Sequence, residues 1–169
     1  WILSFSTVLA TVFMVLNIAR PEIHDQTLMP ALQSAWFIPH VTVYMFSYSL
    51  LGCAFILAVA GLFTRSQNVL PAADTLIYIG TAFLTFGMLS GMLWAKQAWG
   101  HYWGWDPKET WALVTWLVYV LYIHLRVTGR GSRGMLCFLL IFGFACLQMC
   151  WWGINYLPSA ADSIHIYNR

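Results

Sequence analysis

The sequence predicts an all-α integral membrane protein with about five transmembrane helices and a tryptophan-rich loop outside the bilayer. Of its 169 residues, 60% are apolar or aromatic and only 8% are charged, whereas a soluble domain carries about 25% charged residues. A net charge of +2 excludes a basic nucleic-acid surface, and an aromatic content of 17% excludes a disordered chain. The few charges also fall between long uncharged stretches, which is typical of spanning helices.

Five stretches are long enough to be spans, since a crossing needs about 20 mostly apolar residues. They cover residues 1–19, 38–64, 75–95, 107–126 and 134–157. The fourth is extended to its full length by the run from Asp106 to Glu109, which predicts an N-cap, a proline in the first turn and a capping-box glutamate.

The connections between the spans are polar. Residues 20–37 form the longest polar stretch, residues 68–74 with Pro71 predict a tight loop, and residues 158–169 form a polar tail. The chain begins at Trp1 inside a span, so we expect a single transmembrane domain over residues 1–169 that is a fragment of a longer chain or fusion. The first span lacks a basic leading region and is not interpreted as a signal peptide.

Orientation follows from the arginines. The short loop with Arg126, Arg130 and Arg133 contains no acid, and the positive-inside rule places it in the cytoplasm. Counting crossings from there puts His40, residues 94–111 and His165 together on the outer side, and His124 near the inner end of the fourth span.

All four cysteines lie in predicted spans, and no Cys-x-x-Cys occurs: Cys53, Cys137, Cys146 and Cys150. A disulfide across one helical turn has poor geometry, so we expect small buried hydrophobes. None of them is expected near the outer histidines.

The segment 94–111 holds half of the ten tryptophans. An aromatic belt at the headgroups is one interpretation. A belt, however, would spread over every helix end, whereas these residues are concentrated in one connection that Gly100 and Gly104 interrupt.

A dense aromatic surface between His40 and His165 fits a flat, apolar, iron-containing macrocycle. Two imidazoles ligate iron from opposite faces, and indoles pack against a porphyrin and donate hydrogen bonds to its polar substituents. Asp106 is equally consistent with a helix cap or a ligand contact. A non-ligand interpretation also stays open for each histidine. His40 could be a polar residue at the start of a helix, His165 a surface residue of the tail, and His124 a residue at the inner membrane interface.

The run from Trp99 to Trp111, WGHYWGWDPKETW, resembles the tryptophan-rich WWD signature of haem-handling membrane proteins. The continuation through residues 115–126 resembles the CcsA/ResC branch of system II cytochrome c maturation. The similarity extends to His40-Val41 followed by Ser47-Tyr48, and more weakly to the tail around His165, so that it covers about the whole chain.

The resemblance implies roles for seven residues. His40 and His165 would ligate the iron of haem b (iron protoporphyrin IX), and His124 would hold haem within the membrane. The residues that would contact haem are Trp99, Trp103, Trp105 and Asp106. The tail departs from the family's His-Ser-Tyr-Gly, since His165 is followed by Ile-Tyr-Asn. The second transmembrane histidine of the branch is missing, and it is expected upstream of Trp1 or on a CcsB-like partner.

The resemblance implies delivery of haem to apocytochrome c for covalent attachment, as part of a holocytochrome c synthase (haem lyase). Expected partners are a CcsB-like subunit, apocytochrome c and membrane lipid, with no nucleic acid. The expected location is the bacterial inner membrane with the site facing the periplasm, or the thylakoid membrane. The alternatives are a cytochrome b-like electron-transfer protein that retains its haem, and a transporter with an aromatic gate.

Overall fold

Four long helices make up most of the chain that the structure describes. The structure is a computed structural model, and it describes residues 11, 14–15, 18–19, 30–64, 68–158 and 163. The helices are α1 (Phe37–Phe63), α2 (Val69–Trp99), α3 (Pro107–Val127) and α4 (Arg133–Trp151), with short 3-10 helices at Pro30–Gln33 and Gly153–Tyr156. No strand occurs among the described residues, which confirms the all-α prediction.

The chain divides into two compact units, Trp1–Gln33 and Ser34–Arg169. In the first unit, the described positions 11, 14–15 and 18–19 are helical. Most of the predicted span over 1–19 lies outside the described residues, so the count of five spans and the single domain over 1–169 stay predictions. The second unit contains all four long helices.

Each of these helices is long and apolar enough to cross a membrane, with lengths of 27, 31, 21 and 19 residues. The predicted spans 38–64 and 107–126 agree with α1 and α3 to within one residue at each end. The chain is therefore a membrane protein, as its composition predicts.

The predicted loop over residues 68–74 is wrong. Asn68 is the N-cap of α2, and the helix begins at Val69. Pro71 lies in the first helical turn, where a missing N–H costs little because the first four N–H groups of a helix have no partner within it.

Two helix ends also differ from the prediction. The charge of Lys96 does not end α2, which continues to Trp99 and stops at Gly100, whose φ of 84° is left-handed. At the end of the chain, α4 stops at Trp151 instead of residue 157, and a 3-10 turn at Gly153–Tyr156 follows.

Large side chains of α1 lie against glycines of α2 in a regular antiparallel register. A Cβ on Gly80 would lie 2.8 Å from Leu51 Cδ2, and a Cβ on Gly87 would lie 3.0 Å from the ring of Tyr44. Ser47 Oγ donates to the Gly80 carbonyl at 2.8 Å. Glycines allow two membrane helices to approach closely, because no side chain separates the backbones.

The bundle has two ends of different character. We call residues 37–44, 91–111 and 146–152 the tryptophan end, and residues 57–64, 68–74 and 122–137 the arginine end. The two ends are opposite, since consecutive antiparallel helices return the chain to the same side after each pair of crossings. This confirms that His40 and the tryptophan loop share one end, while the side of the membrane that each end faces stays a prediction.

Candidate functional site

His40 lies in the first turn of α1, and its ring is oriented by α2. Its Nδ1 lies 2.8 Å from the carbonyl oxygen of Gly87. A carbonyl only accepts hydrogen bonds, so Nδ1 carries the proton and donates. In the neutral imidazole the lone pair is then on Nε2, which is the tautomer of a metal-binding histidine whose other nitrogen is held by a backbone carbonyl.

Two aromatic rings pack against this imidazole. It stacks on Trp94 with centroids 5.3 Å apart and meets Tyr44 edge-on at 4.7 Å. Trp94 is only 5% exposed, and it contacts Trp99 edge-on at 4.8 Å. A continuous aromatic contact thus joins His40 to the first tryptophan of the predicted signature.

The connection after α2 turns sharply at Gly100. Its N–H donates to the Lys96 carbonyl at 3.1 Å, and its own carbonyl accepts from Lys96 Nζ at 2.8 Å. The Lys96 ammonium also lies over the Tyr102 ring, 5.4 Å from the centroid. These contacts direct the chain from the end of α2 across the tryptophan end.

Trp105 has a strained backbone and an outward-facing side chain. Its φ is +56°, which is uncommon for a residue with a bulky side chain. The indole is 69% exposed and contacts Trp103 edge-on at 5.8 Å. Because the conformation is unfavourable by itself, neighbouring groups must hold it.

Glu109 supplies that support. Its Oε2 accepts from the N–H groups of both residues that flank Trp105, at 2.8 Å for Gly104 and 3.1 Å for Asp106. The second of these bonds belongs to the capping box of α3. The capping box that the sequence predicts is therefore confirmed, and the same carboxylate also brackets the strained residue.

Asp106 is the N-cap of α3 and is only 6% exposed. Its Oδ1 accepts from the Lys108 N–H at 2.9 Å and from Ser163 Oγ at 3.2 Å. The cap is thus confirmed, while a ligand contact by Asp106 stays a prediction. Ser163 belongs to the tail, and it lies two positions before His165, which is outside the described residues.

The indole N–H of Trp103 is a buried donor. Its Nε1 has no acceptor among the residues that the structure describes. An unsatisfied buried donor is costly, at about 1–3 kcal/mol, and at a binding site such a group is a candidate contact for a polar ligand atom.

His124 lies far from this cluster. It is in the last turn of α3, at the arginine end, and its side chain is exposed on the surface of the bundle. The 18 positions from Asp106 to His124 correspond to about 27 Å of helix. His101 is exposed in the tryptophan loop.

Cys150 is not where the sequence suggested. It lies at the tryptophan end, where its Sγ donates to the Lys108 carbonyl at 3.4 Å. The expectation that no cysteine lies near the outer site is wrong because α4 ends at Trp151, six residues earlier than predicted. Cys137, Cys146 and Cys150 are buried as expected, while Cys53 is exposed and all four thiols are free.

Several site features were missed at the sequence level. Tyr44, Gly87 and Gly91 orient the imidazole, and Trp94 was seen only as one of many tryptophans. A signal existed in the Gly-x-x-x-Gly pattern of residues 87–91 and in the spacing of His40 and Tyr44 by one helical turn. Within the described residues, no group of three or more His, Cys, Asp or Glu side chains is arranged to hold a bare metal ion.

Comparison with known proteins places these features in a family context. Residues 1–161 match the profile of the family described as "Cytochrome C assembly protein". The chain is 35% identical to the cytochrome c biogenesis protein CcsA of Chlamydomonas reinhardtii, over 96% of this chain and 50% of the relative. It is also 35% identical to CcsA of Guillardia theta, over 96% of this chain and 62% of the relative. The chain thus spans about half to two thirds of the length of these relatives.

Proposed function

Because the chain belongs to the cytochrome c assembly family, in its CcsA branch, we propose that it acts in cytochrome c biogenesis by holding haem at the tryptophan end. His40 and His165 would hold the haem iron, and Trp99, Trp103, Trp105 and Asp106 would contact the haem. The chain would present haem to apocytochrome c, and His124 would hold haem nearer the arginine end.

One observation carries the proposal. The His40 imidazole is fixed by a backbone carbonyl 2.8 Å from Nδ1, at the same end of the bundle as the tryptophan loop. This tautomer has its lone pair on Nε2, the atom that an iron ion needs. The carbonyl also raises the basicity of the ligand, as such second partners do in metal sites.

The aromatic groups of the tryptophan loop suit iron protoporphyrin IX. The exposed face of Trp105 and the ring of Tyr102, which is half exposed, offer flat apolar contacts. The buried Trp103 N–H, unsatisfied within the described residues, is suited to a carboxylate such as a propionate. Bound haem supplies vinyl groups that form thioethers with the cysteine thiols of apocytochrome c. The residues of this chain position the iron and restrict access to it.

A contact of the tail supports the choice of His165 as the second ligand. Ser163 donates to Asp106 Oδ1 at 3.2 Å, so the tail meets the tryptophan loop at a point two positions before His165. A CcsB-like partner or a further part of the chain supplies the second transmembrane histidine. The tryptophan end faces the periplasm or the thylakoid lumen.

Visible spectroscopy tests the proposal. The complete protein is produced with ample haem and compared with His40→Ala and His165→Ala. The control is His101→Ala, which changes an exposed histidine of the tryptophan loop. We expect the low-spin spectrum to be lost in the first two variants and retained in the control. Unchanged haem content and spectra in both ligand variants would contradict the assignment.

A second measurement separates delivery from permanent binding. The haem-loaded protein is mixed with an apocytochrome c peptide that contains Cys-x-x-Cys-His. We expect haem to move to the peptide. Retention of all haem under these conditions would favour an electron-transfer cytochrome instead.

A further inference from the structure

We infer that Gly91 is a positioning residue for His40: the bare backbone of α2 at this glycine leaves room for the imidazole to reach the Gly87 carbonyl, which fixes the orientation and tautomer of the ring. This inference rests on the proposed function, in which His40 ligates iron. Gly91 lies within the membrane helix α2 and outside the tryptophan motif of residues 99–111, so the motif does not include this role.

The contact at Gly91 leaves no room for a side chain. A Cβ placed on Gly91 would lie 2.6 Å from Cε1 and 2.8 Å from Nδ1 of His40. Real Cβ atoms essentially never approach that closely. One edge of the imidazole therefore rests directly on the helix backbone.

Two aromatic rings limit how the half-buried imidazole can move. Trp94 stacks on it, and Tyr44 packs edge-on against it. Any shift away from α2 also stretches the 2.8 Å bond from Nδ1 to the Gly87 carbonyl. A methyl group on Gly91 thus has to break the hydrogen bond, displace a buried tryptophan or separate the two helices.

The contact is one layer of a repeating pattern between α1 and α2. His40 meets Gly91, Tyr44 meets Gly87, and Leu51 meets Gly80, so the partners advance by equal steps in opposite directions along the two helices. The pattern supplies a matched control, because Gly80→Ala creates the same kind of clash, 2.8 Å from Leu51 Cδ2. Gly80 lies eleven residues from Gly91, or about 16 Å along the helix.

The tautomer provides a measurement that does not need haem. Histidine is labelled with ¹⁵N in the complete, haem-free protein in detergent, and the His40 signals are assigned by their loss in His40→Ala. We expect a protonated Nδ1 and an unprotonated Nε2 in the parent protein, and loss of this signature in Gly91→Ala. Gly80→Ala should retain it. A protonated Nε2 in the parent protein would overturn the inference without any variant having to fold.

The haem-loaded protein supplies the second readout. Loss of a ligand's second partner lowers metal affinity by about 10–100-fold, so we expect Gly91→Ala to weaken haem binding by about tenfold or more. The reduction potential should rise as well, since a less basic imidazole stabilises ferric iron less. Equal losses in Gly91→Ala and Gly80→Ala would overturn the inference, because general helix packing would then explain both.

Failure of the two proposals can be distinguished. If His40→Ala keeps the parental haem spectrum, the axial-ligand proposal fails, and with it the role of Gly91 in haem binding. If His40→Ala loses the spectrum while Gly91→Ala keeps both the tautomer and the affinity, only the inference about Gly91 fails.

Discussion

The two ends of the bundle use their polar groups in different ways. At the arginine end, Asp74 pairs with Arg126 in a salt bridge and accepts a 2.7 Å hydrogen bond from Tyr122. Arg133 donates to the carbonyls of Gly61 and Thr64 at 3.0 and 2.7 Å. These bonds join two pairs of helices at this end of the bundle, α2 to α3 and α4 to α1.

At the tryptophan end, the polar groups instead support one strained turn and one oriented imidazole. Glu109 brackets Trp105, whose φ is +56°, and the Gly87 carbonyl holds His40. Strain and exposed aromatic rings are typical of functional sites rather than of structural ones. The comparison favours a mainly structural role for the polar groups of the arginine end, and it supports the tryptophan end as the place of the proposed haem site.

The largest effect on stability is expected at Asp74. Asp74→Ala leaves the Arg126 guanidinium and the Tyr122 hydroxyl without their acceptor, and it should lower the free energy of unfolding by about 3 kcal/mol. This is the low end for a broken buried pair, because the Asp74 and Arg126 side chains keep 14% and 27% exposure. Thermal unfolding in detergent measures the loss.

Asp74→Asn is the matched control, since its amide oxygen still accepts one hydrogen bond and the loss should be smaller. The haem spectrum should be the same in both variants as in the parent protein. A drop in haem affinity comparable to that of His40→Ala would break the distinction between the two ends.

The next effect is expected at Glu109. Glu109→Ala removes the acceptor of the Gly104 and Asp106 N–H groups, and it should cost about 1–2 kcal/mol of stability. Trp105 then leaves its left-handed conformation, so haem affinity should fall by about tenfold. Glu109→Gln keeps an oxygen acceptor and should lose less of both, and equal haem affinity in the alanine variant and the parent would refute the support role.

A smaller change is expected at Ser163. Ser163→Ala removes the hydrogen bond to Asp106 Oδ1 and should cost about 1 kcal/mol. Because this bond holds the tail at the loop, haem binding should weaken a few-fold. Ser163→Thr keeps the hydroxyl and should behave like the parent in a haem titration. An unaffected alanine variant would show that the tail acts independently of this contact.

The smallest effect is expected at His124, which lies at the arginine end. Its side chain is exposed on the bundle, so His124→Ala should change stability by no more than about 0.5 kcal/mol. The low-spin spectrum of haem at the tryptophan end should persist, since His124 lies about 27 Å of helix from Asp106. A spectrum altered as strongly as in His40→Ala would show that both ends hold the same haem.

Local patterns in the sequence predict the local structure well. The capping box from Asp106 to Glu109 depends on neighbours within one helical turn, and the structure confirms it. Hydropathy predicts α1 almost to the residue, and hydropathy together with the capping motif does the same for α3. Pro71 misled the prediction because a proline breaks a helix in its interior but not in its first turn.

Contacts between helices were not predictable in the same way. The fit of His40 on Gly91 depends on the register between α1 and α2, and the two residues are 51 positions apart in the sequence. Neither helix alone carries that information. The position of Cys150 depends on where α4 ends. The roles of His165 and of the first span stay predictions, because His165 and most of that span lie outside the described part of the chain.

A haem titration of His40→Ala and Asp74→Ala, followed side by side at the Soret band, tests the central claim most directly. We expect His40→Ala to weaken low-spin haem binding by more than about 100-fold, because losing the ligand itself should cost more than the 10–100-fold that losing a ligand's hydrogen-bond partner costs. Asp74→Ala should be less stable and still bind haem with parental affinity. The opposite pattern, with binding lost at Asp74 and retained at His40, would contradict it.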